Sequence, residues 1–210
     1  MSGRSGRHLA ILLVVALLPA CSTTRPLKVE ESERLQLYQV KSDQLAVRNG
    51  WSIEGRLAVS NDKDGGSGKF YWSRNEAGSR MDFHGTLGRG AWKLLADQNG
   101  AELVQADGTV HRAGSIDQLV RNHVGWDIPV ESMSWWIRGL STPDDFRKRT
   151  IDAQGNISEL LQDGWTVEYG KYRAFEGVSL PVRLDARQGE WIVKLVIRSW
   201  SLAEKAAEND

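Results

Sequence analysis

The sequence predicts a mainly β protein with helices, built around one strongly curved antiparallel sheet. Three observations support this fold class. About eleven short segments alternate apolar and polar residues with the period of two of a half-buried strand. Turn sequences rich in Gly, Asn and Asp separate these segments, and only three segments have a helical pattern. Because a sheet of so many antiparallel strands must curl, its concave face is either filled by side chains or encloses an apolar cavity under the helices.

The composition fits one globular domain and gives no sign of recruitment by bulk charge. Of the 210 residues, 40% are hydrophobic and 26% are charged, and 27 Lys and Arg residues balance 27 Asp and Glu residues. This balance offers nothing that would attract nucleic acid or an anionic surface. Nine tryptophans against four phenylalanines are unusual. Tryptophan suits ordinary core packing, but also a wide apolar cavity or a membrane interface where its N–H stays hydrated.

The N-terminus resembles a bacterial lipoprotein signal. Arg4 and Arg7 precede the apolar run "LAILLVVALL", which is too short to span a bilayer comfortably and is followed by "PAC". Cys21 is the single cysteine of the chain, so it cannot form an internal disulfide. "LLPAC" resembles a lipobox, in which the cysteine is acylated and becomes the first residue of the mature protein, although Pro19 is not the commonest residue at its position. The alternative is an ordinary signal peptide beside an unrelated free thiol.

This interpretation sets the expected boundaries and location. Several acyl chains anchor a protein stably where a single chain does not, and Ser22 after the cysteine, in place of aspartate, favours sorting to the outer membrane. We expect the protein to be anchored at the periplasmic face of that membrane by lipid on Cys21. The expected division of the chain is a signal peptide at 1–20, a lipid-anchored tether at 21–28, a single domain at 29–203 and a frayed tail at 204–210.

The elements follow in order from the tether. Residues 29–49 predict a helix, because a loose apolar stripe runs through charged residues and "NG" at 49–50 supplies a stop. In "WSIEGRLAVS" apolar residues alternate with polar ones, as in a half-buried strand. Five further strand-like segments end at "TVHRAG", and turn sequences such as "DKDGGSG", "NEAG" and "DQNG" separate them.

The alternation breaks at residues 115–140, where two short helices are expected. Ser115 suits the N-cap of the first helix, and the second begins after Pro129 and stops at Gly139. Five strands resume afterwards, from "FRKRTIDAQ" to "EWIVKLVIRSW". The two helices therefore interrupt the series of strands near its middle.

One turn carries a residue that its position does not explain. The stretch "FHGTLGRGAW" at 83–92 is typical of a hairpin tip, since its three glycines favour a sharp turn. Leu87 stands at this tip, where a large aliphatic side chain has no core to enter. Either it folds back on a neighbour such as Trp92, or it is exposed to contact something else.

No catalytic or metal-binding pattern emerges from the sequence. "GGSGK" at 65–69 lacks the first glycine and the Ser or Thr after lysine that a phosphate loop needs, and Lys69 stands where a nucleophile elbow needs glycine. The three histidines after residue 20 are widely spaced, and no free cysteine remains to share a metal with them. We therefore expect no metal, no cofactor and no enzymatic activity.

Seven motifs, in this order and spacing, resemble the LolB family. They are "WSIEGRLAV", "SGKFYW", "GTLGRGAWKL", "GWDIPVESMSWWIRGL", "QDGWTVEYGKY", "LPVRL" and "VKLVIRSW". The resemblance extends from the lipobox to about Trp200. It implies an open, strongly curved antiparallel half-barrel of about eleven strands, enclosing an apolar cavity lidded by helices.

The resemblance also implies a function. Members of this family are outer-membrane receptors that accept acylated lipoproteins from a periplasmic carrier similar to LolA and insert them into the outer membrane. A monomer that binds the carrier, the lipoprotein cargo and outer-membrane lipid, and no nucleic acid, is expected. The alternative is an outer-membrane lipoprotein that binds a lipid or other hydrophobic ligand, or scaffolds an envelope complex, without transfer activity.

Two sets of site residues follow from the resemblance. At the hairpin tip Leu87 would act in delivery to the membrane, although Thr86 stands where the family usually has proline. The candidates for the lining of the acyl cavity are large apolar residues of three successive strands and of the second central helix: Phe70, Trp72, Met81, Phe83, Trp92, Leu94, Trp135, Trp136 and Ile137.

Overall fold

The structure is a computed structural model, and it describes residues 30–86, 90–143 and 147–204, without the side chains of Asn49 and Glu204. These residues form eleven strands and three α-helices. In chain order they are α1 (Glu31–Ala46), β1 (Arg48–Ser60), β2 (Gly65–Asn75), β3 (Gly78–Gly85), β4 (Trp92–Asp97), β5 (Gly100–Gln105), β6 (Val110–Ala113), α2 (Ile116–Leu119), α3 (Val130–Trp136), β7 (Lys148–Ile151), β8 (Ile157–Gln162), β9 (Trp165–Phe175), β10 (Val178–Gln188) and β11 (Trp191–Glu204). The expected signal peptide, the whole of the expected tether at 21–28 and residues 205–210 of the tail lie outside the described residues.

All eleven strands belong to one antiparallel sheet, in the order β6-β5-β4-β3-β2-β1-β11-β10-β9-β8-β7. The first and last strands meet in its middle, where Leu57 lies opposite Leu195. Among the described residues β6 and β7 are the two edges and do not pair with each other, so the sheet stays open. In the chain, α2 and α3 lie between these two edge strands. The predicted open antiparallel half-barrel of about eleven strands with helices is confirmed.

The N-terminal helix is shorter than its sequence pattern predicts. The helix α1 ends at Ala46 rather than near Asn49. The reason is pairing: Arg48 already lies opposite Glu204 at the start of β1. The last residues of the predicted helix therefore belong to β1, because they pair with the distant strand β11.

The two central helices lie where the sequence predicts them, joined by a turn that it does not predict. Ser115 caps α2, its Oγ accepting a hydrogen bond from the Gln118 N–H at 3.3 Å. The helix then widens into a π-helical turn at Val120–Val124, which ends at Gly125 with φ of 82°. Such wide turns are rare and occur frequently at functional sites.

Alternation along each strand places the core on one face of the sheet. In β3, Ser79, Met81 and Phe83 are buried, whereas Arg80 and Asp82 point to the other face and form an ion pair with a 2.7 Å N–O distance. The same period of two in the other strands produces one continuous buried cluster. The concave face of the half-barrel is therefore mostly apolar, with a few buried polar side chains such as Ser79 and Gln162.

The helix α1 packs on the end of the sheet opposite the β3–β4 tip through Tyr38, Lys41 and Leu45. The turn between β7 and β8 passes so close that residue 155 must be glycine. A Cβ on Gly155 would lie 2.4 Å from the Cβ of Leu37, and its φ of +76° also disfavours a side chain. This close approach fixes α1 against the sheet.

Lys41 is a buried charged residue in the contact between α1 and the sheet. Its Nζ lies 5.0 Å from the ring centre of Tyr172, 5.7 Å from that of Tyr38 and 3.5 Å from Asn156 Oδ1. Burial lowers the pKa of Lys41 from 10.5 to about 8, although the nearby Asp152 carboxylate opposes the shift. Because the unfolded chain keeps this proton to higher pH than the folded chain, the free energy of unfolding should rise between about pH 8 and pH 10.5.

Replacing Lys41 with methionine is expected to stabilise the protein at pH 7. Methionine fills a similar volume without a buried charge, and such replacements are often neutral or stabilising. Urea unfolding at pH 7, 8, 9 and 10 should show a higher midpoint for Lys41→Met at pH 7 and a smaller rise with pH than in wild type. The exposed Lys63→Met is the matched control and should change neither quantity. A lower midpoint with an unchanged pH dependence would contradict this account of Lys41.

Candidate functional site

The crossover between the two edges covers the concave face with apolar side chains. It consists mainly of α2, the π-helical turn and α3. Its inward residues belong to the same buried cluster as the inner face of the sheet: Ile116, Leu119, Val120, Trp126, Ile128, Val130, Met133, Trp136 and Ile137. Both surfaces that bound the interior are therefore apolar.

Buried hydrogen bonds hold the α3 end of the crossover to the sheet. The Trp136 Nε1–H donates to Gln162 Oε1 on β8 at 3.1 Å, and Gln162 Nε2 donates to Thr142 Oγ1 at 2.6 Å. The Tyr169 hydroxyl on β9 donates to the Trp136 carbonyl at 2.9 Å. Burial raises the pKa of Tyr169 well above its ordinary value, so this donor stays protonated. The C-terminal half of the crossover is therefore firmly fixed.

Asp117 couples the two helices of the crossover. Its Oδ1 accepts hydrogen bonds from the backbone N–H groups of Val130 at 2.8 Å and Glu131 at 3.3 Å. Burial raises the pKa of Asp117, while these two hydrogen bonds act in the opposite direction. Glu131 in turn forms an ion pair with Arg74 on β2 at 2.7 Å, but both side chains are well exposed, so the pair contributes little to stability.

The interior is almost filled in this conformation. Between the sheet and the crossover the described residues leave an apolar cavity of about 20 Å³, which is room for about one water molecule. Ten apolar residues line it: Leu57, Phe70, Trp72, Met81, Trp92, Val120, Trp126, Ile128, Val130 and Met133. An acyl chain fits here only if these side chains move apart.

A larger cleft, of about 610 Å³, opens at the end of the sheet that carries the β3–β4 tip. Phe83, Trp92, Val124 and Trp126 provide its apolar surface. Its polar lining residues include Asp64, Ser67, Thr86, Gln105, Asp107 and His123. A long apolar group lying in the cleft would therefore contact aromatic rings on one side and water on the other.

Three aromatic rings lie between the cleft and the inner cavity. Phe83 stacks on Trp92 with ring centres 5.4 Å apart, and Trp126 meets both rings edge-on, at 5.3 Å from Phe83 and 6.1 Å from Trp92. Trp92 and Trp126 line both spaces. We call Phe83, Trp92 and Trp126 the aromatic wall.

The structure brings five of the nine predicted lining residues to these spaces. Phe70, Trp72, Met81 and Trp92 line the inner cavity, and Phe83 lines the cleft together with Trp92. All five lie on β2, β3 and β4, where alternation along each strand turns them toward the interior.

The other four predicted lining residues contact neither space. Leu94, Trp136 and Ile137 are fully buried in the core. Trp135 is only half-buried, with the Arg138 guanidinium 4.7 Å above its ring. Successive residues of a helix point about 100° apart, so Trp135 and Trp136 do not both face the sheet.

Six residues of the inner cavity were missed by the sequence analysis: Leu57, Val120, Trp126, Ile128, Val130 and Met133. Alternation in β1 was a usable signal for Leu57, and helical spacing was one for Val130 and Met133. Trp126 follows Gly125 outside any helical repeat. Its position depends on the π-helical turn, which no pattern in the sequence indicates.

The base of the hairpin tip is tied to β2. Thr86 Oγ1 donates a hydrogen bond to the Ser67 carbonyl at 2.9 Å. This bond restrains the tip where the family's usual proline would restrain it by fixing φ. Leu87 and Cys21 lie outside the described residues, so their roles stay predictions.

The described residues place no group of three or more His, Cys, Asp or Glu side chains where it could hold a metal ion. His111 and His123 do meet, but as parallel rings with centres 3.7 Å apart. In the same part of the chain, no helix has the length and apolar character needed to cross a membrane.

Relatives match this chain over most of its length. The family model described as "Outer membrane lipoprotein LolB" matches residues 49–200. The chain is 32% identical over 195 residues to the outer-membrane lipoprotein LolB of Pseudomonas fluorescens, covering 92% of this chain and 95% of the relative. It is 33% identical over 187 residues to the LolB of Pseudomonas aeruginosa, covering 89% and 91%.

Solved structures with little sequence similarity share the fold. A LolA superfamily protein from Nitrosomonas europaea matches with a TM-score of 0.52 at 11% identity, covering 81% of this chain and 94% of that one. A putative outer membrane lipoprotein-sorting protein domain from Vibrio parahaemolyticus matches with a TM-score of 0.51 at 10% identity, covering 84% and 94%. These two likenesses concern the fold alone. The family match and the curated relatives together show that the chain belongs to the LolB family of outer-membrane lipoproteins.

Proposed function

We propose that this protein accepts acylated lipoproteins from a periplasmic carrier and inserts them into the outer membrane. The observation that carries the proposal is an apolar half-barrel interior, covered by a crossover and separated by the aromatic wall from a cleft at the hairpin tip. Membership of the LolB family supports the same function. The protein acts as a receptor for acyl chains and not as an enzyme.

The need for such a protein follows from the cost of exposing acyl chains to water. Three chains of roughly 16 carbons, at about 0.8 kcal/mol per CH₂, cost on the order of 35 kcal/mol when exposed. A free lipoprotein therefore does not cross an aqueous compartment. Its chains must pass from one apolar interior to the next and then to the bilayer.

The interior takes up a chain when the part of the crossover beside the cleft moves away from the sheet. Aromatic surfaces such as those of Trp72, Trp92 and Trp126 accept apolar chains without demanding a particular shape. Transfer proceeds without nucleotide hydrolysis because each step is downhill. The interior binds acyl chains more tightly than the carrier does and less tightly than the membrane does.

Two features outside the described residues complete the proposal. Acylation of Cys21 anchors the protein at the periplasmic face of the outer membrane, and the tether at 21–28 joins this anchor to the domain at 29–203. Leu87 at the hairpin tip enters the headgroup boundary and brings the cleft close to the bilayer. Burial of one leucine is worth roughly 1.5–3 kcal/mol, enough to orient a tethered protein but not to anchor it.

The second candidate function is an outer-membrane lipoprotein that binds a lipid or another hydrophobic ligand, or scaffolds an envelope complex, without transfer. The apolar interior suits this function equally. The exposed leucine expected at the tip does not, because a static binding protein has no need to approach the bilayer with its cleft. Handling of lipoproteins in cells distinguishes the two candidates.

Depletion of the protein in the bacterium that makes it tests the proposal. We expect newly made lipoproteins to accumulate in complex with their periplasmic carrier and to disappear from the outer-membrane fraction of a sucrose gradient. Restoring the wild-type gene should return them to that fraction. If depletion leaves lipoproteins in the outer membrane and none on the carrier, the second candidate replaces the first.

A further inference from the structure

The aromatic wall carries an inference that rests on the proposed function and extends it. We infer that the cleft beside the β3–β4 tip is the portal through which acyl chains reach the interior, that Trp126 is its gate, and that the indole N–H of Trp92 binds a carbonyl at the head of the chain. Four observations carry this inference.

The first observation is that the cleft and the inner cavity adjoin each other. The cleft of about 610 Å³ and the apolar cavity of about 20 Å³ have Trp92 and Trp126 as shared lining residues. Displacement of the Trp126 ring would join them into one apolar channel. By contrast, the cleft of about 630 Å³ at the opposite end of the sheet, lined by residues such as Arg80, Glu102 and Arg112, shares no lining residue with the cavity.

The second observation is that the segment carrying Trp126 has few polar contacts with the sheet. Its π-helical turn is attached to the sheet by the stack of His123 on His111 and by a hydrogen bond of 3.2 Å from Gln105 Nε2 to the His123 carbonyl. The Arg121–Asp127 ion pair lies within the segment and is more than half exposed, so water screens it. Few polar contacts with the sheet therefore have to break for this segment to move, and the other contacts to break are the apolar ones of Val120 and the Trp126 ring.

The other end of the crossover, at α3, is held more firmly, and this difference defines which part of the crossover moves. The buried bonds among Trp136, Gln162 and Thr142 keep α3 in place. Gly125, with φ of 82°, lies within the less firmly held segment, between the π-helical turn and Trp126. Movement is thus confined to the π-helical turn and Trp126, while α3 remains packed on the sheet.

The third observation is the close seat of the Trp126 ring on β2. A Cβ built on Gly66 would lie 2.8 Å from Trp126 Cζ2, which is shorter than such atoms approach. Glycine at 66 therefore allows the ring to approach the strand backbone closely and close the portal. Any side chain at this position forces the gate away from its seat.

The fourth observation is an unpartnered donor at the wall. Trp92 is 8% exposed, and its Nε1–H has no hydrogen-bond acceptor among the described residues. A buried donor without an acceptor is unfavourable. A lipid acyl group supplies what is missing, because its chain is apolar and its ester or amide carbonyl accepts a hydrogen bond. This match identifies a long-chain acyl group as the occupant.

Spectroscopy of the tryptophan side chains tests the portal without any carrier. The protein used is the chain from residue 21 onward, with Cys21→Ala to prevent acylation, labelled with ¹⁵N at its indoles. Omitting residues 1–20 removes none of the buried core of the described residues, whose first member is Tyr38. The probe is stearic acid with a nitroxide at carbon 5, and single Trp→Phe variants assign the signals. The controls, far from the cleft, are Trp51 and Trp200. Trp51 pairs with Arg74 on β2, six residues along that strand from Gly68. Gly68 pairs with Gly85, at the start of the tip.

We expect the indole signals of Trp92 and Trp126 to lose intensity at lower probe concentration than those of Trp51 and Trp200. Unlabelled stearic acid should shift the Trp92 indole proton downfield as a carbonyl accepts its hydrogen bond. Broadening that affects Trp51 or Trp200 first, affects all tryptophans equally, or affects none overturns the portal. If the portal signals respond but the protein accepts nothing from a carrier, the portal stands and the transfer function fails.

A kinetic variant tests the gate. Because alanine at 66 displaces the Trp126 ring, Gly66→Ala should bind stearic acid several-fold faster than wild type in stopped-flow mixing. Gly114→Ala is the matched control, since a Cβ there lies 4.0 Å from its nearest neighbour, and its rate should be unchanged. An equal or slower rate for a folded Gly66→Ala protein overturns the gating role of Trp126.

Discussion

Replacement of Leu87 by glutamate is expected to leave the protein able to accept a lipoprotein but to slow its delivery to membranes by about ten-fold or more. An apolar side chain at the tip gains roughly 1.5–3 kcal/mol on burial at the headgroup boundary, and each 1.4 kcal/mol corresponds to about ten-fold. A carboxylate loses this gain and also repels anionic lipid. The measurement is transfer of a radiolabelled lipoprotein from the protein to liposomes, with acceptance from the carrier followed in parallel.

The conservative Leu87→Phe is the matched control and should deliver at close to the wild-type rate, since it keeps an apolar group at the tip. Delivery by Leu87→Glu at the wild-type rate would show that the tip does not act on the membrane. Loss of acceptance together with delivery would place Leu87 on the carrier contact. A lowered unfolding temperature would instead indicate that Leu87 folds back on a neighbour such as Trp92.

Truncation of Trp136 to alanine is expected to cost about 3–5 kcal/mol of the free energy of unfolding. Trp136 is fully buried, and its indole donates to Gln162, which also bonds Thr142 across the interior. The substitution leaves a cavity and removes a partner from a buried amide. Since native domains have only about 5–15 kcal/mol of stability, much of the total would be lost. Urea unfolding followed by far-ultraviolet circular dichroism measures the change.

Its neighbour supplies the matched control. Trp135 has the same size and lies on the same helix, but it is half-buried and its ring contacts the Arg138 guanidinium. Trp135→Ala should cost about 1 kcal/mol. Equal losses for the two variants would mean that α3 is not fixed to the sheet through Trp136, and the division of the crossover into a fixed half and a mobile half would fail.

Strands and turns were predictable because their signals are local. Alternation along β1 to β5 separates inward from outward residues, and the turns between strands are marked by Gly, Asn and Asp. The junction of β1 with β11 was not predictable, because it joins segments at opposite ends of the chain. The same pairing shortened the helix α1, by drawing Arg48 into the sheet.

The interior was predictable in its strands and less so in its crossover. The resemblance led to Phe70, Trp72, Met81, Phe83 and Trp92 as lining candidates, and the structure places all five at the inner cavity or the cleft. Alternation along the strands agrees with their inward position. It did not distinguish residues that line a space from fully packed residues such as Leu94. Trp126 was missed because it follows a π-helical turn, which no repeat in the sequence indicates.

A transfer assay tests the central claim most directly. A periplasmic carrier loaded with radiolabelled triacylated lipoprotein is mixed with this protein and liposomes, without nucleotide, and the label is followed by separating the three components. We expect the label to leave the carrier, appear on the protein and then accumulate in the liposomes. Label that stays on the carrier at all protein concentrations would contradict the account and leave a lipid-binding protein without transfer activity.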